Sequence, residues 1–492
     1  MHCPPLAVAT AADLAVSALN PSLDSWDQAP ASSELEALVT RALAREVYPE
    51  LSKGAEPCRH PAPQRGATSH PAPTADDARN PPHPDARPSA RPEARNPLHP
   101  DARPSARPEA RSPLHPDARP SARPEARSPL HPDARPSAHP EARNPPHPDA
   151  RPSARPEARN PLHPDAPPSA HPDAPNPPHP DALVTTGGTE SNHLALLLAR
   201  ETLGPTVRLL CGSNAHHSLT RAAWLLGLPE PVVVPAPAGT LDPAALDAAL
   251  TAVPGPHLVA ATAGTTDAGL IDPLPDIAAR CAAHGARLHI DAAYGGGLLF
   301  SDRHRPLLAG LDAAHTVTLD LHKLGWQPVA AGLLAVRDPA DLTALHQHAD
   351  YLNADDDTEA GLPDLLGRSL RTTRRPDVLK IAVTLRTLGR HGLGALVDQV
   401  CDHARTFAAL VRDHPGLELH APPTISTVLF RPTGAPDTAV AEIRRRLLTD
   451  GHAVLGRARL DGRLWLKATL LNPHTSPHEL AALLKTASET GP

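Results

Sequence analysis

From residue 182 onward, short apolar runs rich in β-branched residues alternate with amphipathic stretches. The runs ALVTT (182–186), VRLLC (207–211), PVVVP (231–235), HLVAATA (257–263), RLHIDAA (287–293), TVTLDLH (316–322) and GLLAV (332–336) predict strands. Between several of them lie helical stretches such as ESNHLALLLARETL and PLPDIAARCAAHG. Seven strands with intervening helices predict an α/β domain built on a mostly parallel sheet, over 181–376. Past residue 376 the pattern changes. VLKIAVTLRTLGRHG and GALVDQVCDHARTFAALVRD predict long helices, and the short strands STVLF and RLWLKATL flank a helix, TAVAEIRRRLLTDG. These predict a smaller α+β domain over 377–492. Residues 1–55 hold one amphipathic stretch, SSELEALVTRALAREVY, expected as a helix capped by Ser32 or Ser33 and belonging to the large domain.

Residues 56–180 follow neither periodicity. The unit HPDARPSARPEARNPL begins at His83 and returns at 99, 115, 131, 147, 163 and, truncated, at 179, a period of 16 residues. Each unit carries several prolines and almost no large aliphatic residue, so it has nothing to bury and few donors for helix or sheet. The expectation is a disordered or polyproline-like insertion. Its recurring histidines are read as solvated linker residues rather than metal ligands.

Composition adjusts this picture in three places. The 40% hydrophobic content lies below the globular norm of roughly 45–50%, as dilution by a block holding most of the 64 prolines requires. A net charge of −7 and a pI near 6.5 give no sign of a nucleic-acid partner. The cysteines at 3, 58, 211, 281 and 401 have no metal spacing and suit a reducing cytoplasm. No apolar run approaches the ~18 residues of a membrane span, and the start, MHCPPLAVATAADLAV, lacks the basic region of a signal peptide.

Candidate chemistry gathers at the ends of the predicted strands. Thr185-Thr186-Gly187-Gly188-Thr189-Glu190-Ser191-Asn192 stands where a strand gives way to a helix, a place where free N–H groups and the helix dipole attract a phosphate. A plain tight turn has the same composition. His289-Ile290-Asp291-Ala292-Ala293-Tyr294 ends a strand with a carboxylate able to pair with a protonated ring nitrogen, or to cap a helix. Asp320-Leu321-His322-Lys323 brings a lysine to the same end of the sheet. An unpaired ammonium is costly to bury there, and a Schiff base with an aldehyde removes that cost. Asn214-Ala215-His216-His217-Ser218 offers an imidazole that can stack on a flat ring or simply sit on the surface. Open α/β sheets bind ligands at the C-terminal ends of their strands, where these elements converge.

TTGGTESN, NAHHSLTRAA, ATAGTTDAG, HIDAAYGGG and TLDLHKLGWQP, in this order, resemble the group II pyridoxal-phosphate-dependent amino-acid decarboxylases, which have the aspartate-aminotransferase-like fold (fold type I). The resemblance covers residues 2–50 and 181–480. It implies pyridoxal 5′-phosphate as cofactor and no metal, with Lys323 as the Schiff-base lysine, Asp291 on the ring nitrogen and His216 stacked on the ring. It further implies that Gly188, Thr189 and His322 hold the phosphate with Asp320 nearby, and that Thr265 or Thr266 and Ala293 line the ring site. NPSLDSWDQAP, HADYLN and SLRTTRRPDVLK look most like bacterial decarboxylases of basic amino acids, of the L-2,4-diaminobutyrate and lysine type. Asp24 stands where aromatic-specific members carry an aromatic residue. It is expected to pair with a substrate ammonium, or alternatively to be a solvated or capping Asp, and Trp26 is a second candidate substrate contact. The resemblance implies a homodimer, with a further segment preceding His2 in relatives that packs across it. Relatives often use a loop tyrosine to protonate Cα, but the corresponding stretch reads Pro363-Asp364-Leu365-Leu366, and Tyr351 lies well before it. Oxidative decarboxylation–deamination to an aldehyde is therefore the enzymatic alternative, and a non-catalytic homologue with an interaction arm the other.

Lengthening a loop from ~5 to ~125 residues costs roughly 3 kcal/mol in closure entropy, within a typical stability of about 5–15 kcal/mol. Deleting residues 60–178 is expected to leave a folded, cofactor-binding protein. An insoluble or colourless deletion product would show instead that the block has a structural role.

Overall fold

The computed structural model describes residues 4–52, 179–362 and 365–489, so the expected repeat insertion lies, but for its last two residues, outside the described residues. The N-terminal segment forms α1 (Ala7–Leu19) and α2 (Pro30–Val47). The large domain follows as β1 (Asp181–Thr185), α3 (Gly188–Leu203), β2 (Arg208–Gly212), α4 (His217–Leu225), β3 (Val232–Val234), α5 (Pro243–Ala252), β4 (His257–Thr262), α6 (Leu274–Ala283), β5 (Arg287–Ala292), β6 (Thr316–Asp320) and β7 (Gly332–Val336). A short α7 (Asp355–Glu359) and a long α8 (Val378–Asp413) lead into β8 (Leu417–Leu419), β9 (Thr427–Pro432), α9 (Asp437–Thr449), β10 (Gly456–Leu460), β11 (Arg463–Thr469) and α10 (Pro477–Glu489).

The seven expected strands form one sheet in the order β1-β7-β6-β5-β4-β2-β3. Only β7 runs against its neighbours, so six strands point the same way. Both faces are covered, which explains the continuous apolar runs. Along β1, β2 and β4, Leu183, Leu209 and Leu258 face α3 and α4, while Val184, Leu210 and Val259 face the larger core shared with α2, α5, α6 and α8. The turns after β1, β5 and β6 therefore open at one edge of the sheet.

The smaller sheet, β10-β11-β9-β8, is antiparallel throughout. β8, β10 and α10 had no counterpart in the expected elements. A signal for β10 existed. Asp461 (φ 52°) and Gly462 (φ 71°) form the two-residue turn joining it to β11, the left-handed pair that Asp-Gly favours in hairpins. The two long helices expected after residue 376 form one element broken at Gly389, whose φ of 65° and ψ of 178° are not helical.

The expected cap on α2 is corrected. The helix begins at Pro30, whose missing N–H and fixed φ suit a first helical position, so neither Ser32 nor Ser33 is the cap. Ser33 lies inside the helix and its buried hydroxyl donates to Ala29 O at 3.1 Å. The N-terminal segment is held by buried charge. Arg374 grips Glu36 with two bonds of 2.6 and 2.7 Å, and Lys380 Nζ lies 3.1 Å from Asp13 and 2.9 Å from Asp377. Arg374→Ala leaves the Glu36 carboxylate buried and alone, a loss expected to cost about 3–5 kcal/mol in urea unfolding. A cost under about 1 kcal/mol would mean that this pair does not hold α2.

Candidate active site

The strand ends converge on a cavity of about 310 Å³, near the lower end of the range for small-molecule sites. Gly187, Gly188, Thr189, His216, Thr266, Asp291, Ala293, Asp320, His322 and Lys323 line it. Ten residues spread over more than 130 positions of sequence thus meet because β1, β5 and β6 end on one edge and α3 and α4 start there. The first turn of α3 approaches β5 closely. A Cβ at Gly188 would lie 2.8 Å from the Ala293 Cβ, so only glycine lets this turn come so near the cavity floor.

Asp291 closes β5 and is 4% exposed. Its Oδ1 accepts from the Ala293 amide at 3.0 Å and its Oδ2 from Asn192 Nδ2 at 2.8 Å. Asn192 is the hub that residue-by-residue reading of the sequence passed over. Its Nδ2 also donates to Ser218 Oγ at 2.9 Å, and its Oδ1 accepts from Thr318 Oγ1 at 2.7 Å and from His289 Nε2 at 3.1 Å. Its spacing held a clue, since Asn192 follows Gly188 by four and so stands on the same helix face. Ser218 in turn lies 2.8 Å from His216 Nδ1, and its amide donates to that nitrogen at 3.3 Å. The bonds run from Asp291 through Asn192 and Ser218 to His216, and fix the imidazole with Nδ1 as acceptor.

Burial pushes the His216 imidazole below its ordinary pKa, with Asp291 opposing the shift, so the ring at the cavity wall is neutral near pH 7. His289, wholly buried beneath Asn192, is pushed down to about 4 by burial. The unfolded chain binds this proton near pH 6.5 and the folded chain does not. The stability that a neutral His289 contributes is therefore full above about pH 6.5 and falls, by roughly 3 kcal/mol, as pH drops toward 4. Thermal melts across that range are expected to show a shallower pH slope in His289→Gln. An unchanged slope would assign the acid loss to other groups.

Lys323 follows β6 by one short turn. Its Nζ is 3.5 Å from Asp320 Oδ2, and His322 Nδ1 is 2.5 Å from Asp320 Oδ1. Asp320 Oδ2 also accepts from the Gly188 amide at 3.3 Å, which joins the lysine strand to the glycine turn. Thr262, at the end of β4, lines the same cavity, and its Oγ1 is buried without a hydrogen-bond partner among the described residues. Tyr294 lies with its hydroxyl 2.7 Å from Ser426 Oγ and 3.2 Å from Thr427 Oγ1, and burial pushes its pKa up to about 12.

Three expected residues are not brought to the cavity. Of the pair Thr265 and Thr266, only Thr266 lines it, because the Thr265 hydroxyl turns to accept the Leu270 amide at 3.0 Å. Asp24 takes hydrogen bonds from Ser22 Oγ and, at 3.3 Å, from Thr373 Oγ1. Trp26 packs with Leu23, Ala29 and Leu365. Tyr351 is 83% exposed and stands away from the cavity. Among the described residues, no cluster of three or more His, Cys, Asp or Glu side chains is placed to hold a metal.

The residues present fit a flat phosphorylated aldehyde. They offer an amine, a neutral imidazole, a hydrogen-bonded carboxylate, a glycine turn at a helix N-terminus and an unsatisfied buried hydroxyl at Thr262. Residues 172–433 match the model of the pyridoxal-dependent decarboxylase conserved domain. The L-2,4-diaminobutyrate decarboxylase of Rhizobium meliloti (strain 1021) is 44% identical over 322 residues, covering 62% of this chain and 65% of the relative. That of Acinetobacter baumannii is 33% identical, covering 61% and 66%. The chain thus spans just under two thirds of the length of these curated relatives. The glutamate decarboxylase domain of the Vibrio parahaemolyticus diaminobutyrate-pyruvate transaminase and L-2,4-diaminobutyrate decarboxylase superposes with a TM-score of 0.65 at 25% identity, covering 99% of this chain and 79% of that one.

Proposed function

Since the chain belongs to the pyridoxal-dependent decarboxylase family, we propose that it removes the α-carboxylate of an L-amino acid with a basic side chain, 2,4-diaminobutyrate foremost, to yield the corresponding amine. The observation that carries this reading is the meeting of Lys323, Asp291 and the Gly187–Thr189 turn around one cavity. The resemblance of two relatives named L-2,4-diaminobutyrate decarboxylase supports the substrate.

Pyridoxal phosphate, when bound, supplies an aldehyde for the amino group and a protonated ring that takes up the electron pair left as CO2 departs. The chain's residues provide the rest. Lys323 Nζ would supply the amine for the aldehyde, with Asp320 Oδ2 placed 3.5 Å from it. Asp291, braced by Asn192 and the Ala293 amide, holds a proton on the ring nitrogen. His216, kept neutral, gives the ring a flat uncharged wall. The amides and hydroxyl of the Gly187–Thr189 turn, with His322, take the phosphate.

The reading also carries the division into a large domain over 1–55 and 181–376 and a small one over 377–492, with the repeat inserted between β1 and the N-terminal helices. A homodimer belongs to it too. Trp224 (74% exposed) and Leu225 (58%), close beyond His216 on α4, present apolar surface that a second copy would cover. No helix among the described residues is long and apolar enough to cross a membrane, and we place the protein in the cytoplasm.

The test is CO2 release by the purified, cofactor-loaded chain from diaminobutyrate, lysine, ornithine, tyrosine and glutamate. Basic substrates are expected to turn over with an amine as product. Release of ammonia, peroxide and an aldehyde would move the reaction to the oxidative alternative, and turnover of glutamate alone would overturn the substrate assignment.

A further inference from the structure

One charged pair touches the glycine turn from outside the chemistry described above. Glu190 is the third residue of α3, and its Oε2 accepts both the N–H and the O–H of Thr186, each at 2.6 Å. From the first turn of α3 this carboxylate reaches back over the turn to the residue that precedes the Gly187 N-cap. Its Oε1 lies 3.5 Å from Arg371 Nε, a buried nitrogen without a hydrogen-bond partner among the described residues. The contact is thus an electrostatic one rather than a hydrogen bond.

Arg371 is held in place by its own segment. Arg368 grips Asp181 and the Ala182 carbonyl, Arg374 grips Glu36, Arg375 reaches Asp13 and Asp377, and the Arg371 amide donates to Ser369 Oγ at 3.0 Å. Of these four arginines, Arg371 is the one paired with the turn. Glu190 and Thr186 line the cofactor cavity, while Thr186 and Arg371 line a second cavity of about 520 Å³ beside it. The pair therefore spans the wall between the two.

A carboxylate in the first turn of a helix competes with any anion for the same dipole and N–H groups. Without a countercharge, Glu190 would repel the phosphate that the turn is built to receive. We propose that Arg371 is a positioning residue for cofactor phosphate. It cancels the charge of Glu190 and so lets Glu190 shape the Thr186–Thr189 turn without weakening the anion site. This rests on the reading that the turn takes the phosphate of pyridoxal phosphate.

The test compares pyridoxal phosphate with pyridoxal, which lacks the phosphate, as ligands titrated by absorbance into the full-length chain freed of cofactor. Arg371→Gln is expected to weaken pyridoxal phosphate about fivefold, and pyridoxal less than about twofold. Arg371→Lys should restore most of the loss, and adding Glu190→Gln to Arg371→Gln should bring affinity back toward wild type. Arg368→Gln, on the same segment but away from the turn, should leave the ratio of the two ligands unchanged. Equal weakening of both ligands by Arg371→Gln, no weakening of either, or a double variant weaker than Arg371→Gln alone overturns the proposal. A wild-type chain that holds pyridoxal as tightly as pyridoxal phosphate would instead remove the phosphate site itself, and this inference with it.

Discussion

Lys323→Ala is expected to lower decarboxylation about a thousandfold or more and to abolish the yellow colour of a lysine-linked cofactor. Covalent attachment divides one hard step into easier ones, and a thousandfold loss corresponds to about 4 kcal/mol of barrier. No second amine substitutes. Among the residues lining the cavity Lys323 is the single lysine, and Lys467 donates instead to the Thr266 carbonyl at 2.9 Å. Noncovalent affinity for pyridoxal phosphate should survive in part, because the glycine turn, His322 and Asp291 are untouched. Spectra and CO2 release read the two effects separately. Borohydride reduction of the wild-type holoenzyme should place the pyridoxyl label on the peptide holding residue 323. A label elsewhere, or full turnover by the alanine variant, would end the case for this lysine.

The second large effect is expected from Asp291→Asn. A carboxylate roughly 4 Å from a protonated ring nitrogen, at an effective dielectric near 20, contributes about 4 kcal/mol. That amounts to about three pK units in favour of the protonated ring. Losing it should reduce kcat by about a hundredfold to a thousandfold, with a smaller change in KM, because the proton matters most when the electron pair enters the ring. The cofactor-free protein should lose about 1–3 kcal/mol, since the amide oxygen still accepts from the Ala293 N–H but its NH2 group now faces Asn192 Nδ2, which loses its acceptor. Thermal melts and steady-state rates distinguish this from misfolding. A variant with intact melting and undiminished kcat would show that Asp291 does not govern the ring proton.

The core of the α/β domain was legible because burial on both faces turns its strands into continuous apolar runs. Each of the seven appears within a residue or two of its expected place. The smaller domain was harder. β8 has three residues and β10 reads Gly-Arg-Ala-Arg-Leu, so neither shows an apolar period, and only the Asp461-Gly462 turn marked the hairpin. Cap residues also misled. Ser32 and Ser33 have cap chemistry, but Pro30 sets the helix start four residues earlier than a serine cap at Ser33 would.

Local pattern thus determined the strands, the helices between them, and the arrival of Gly188, Asp291 and Lys323 at strand ends, because hydrophobic periodicity and turn chemistry act over a few residues. The order of strands in the sheet decided which of those ends share a cavity. Asn192 meets Asp291 across 99 positions of sequence and Thr318 across 126, and no local signal encodes either contact. The same holds for the side chains left out. Asp24 and Thr265 have suitable chemistry, yet their hydrogen bonds to Ser22, Thr373 and Leu270 turn them elsewhere. Polar side chains take the partners that packing brings within about 3 Å, and packing is a property of the whole chain.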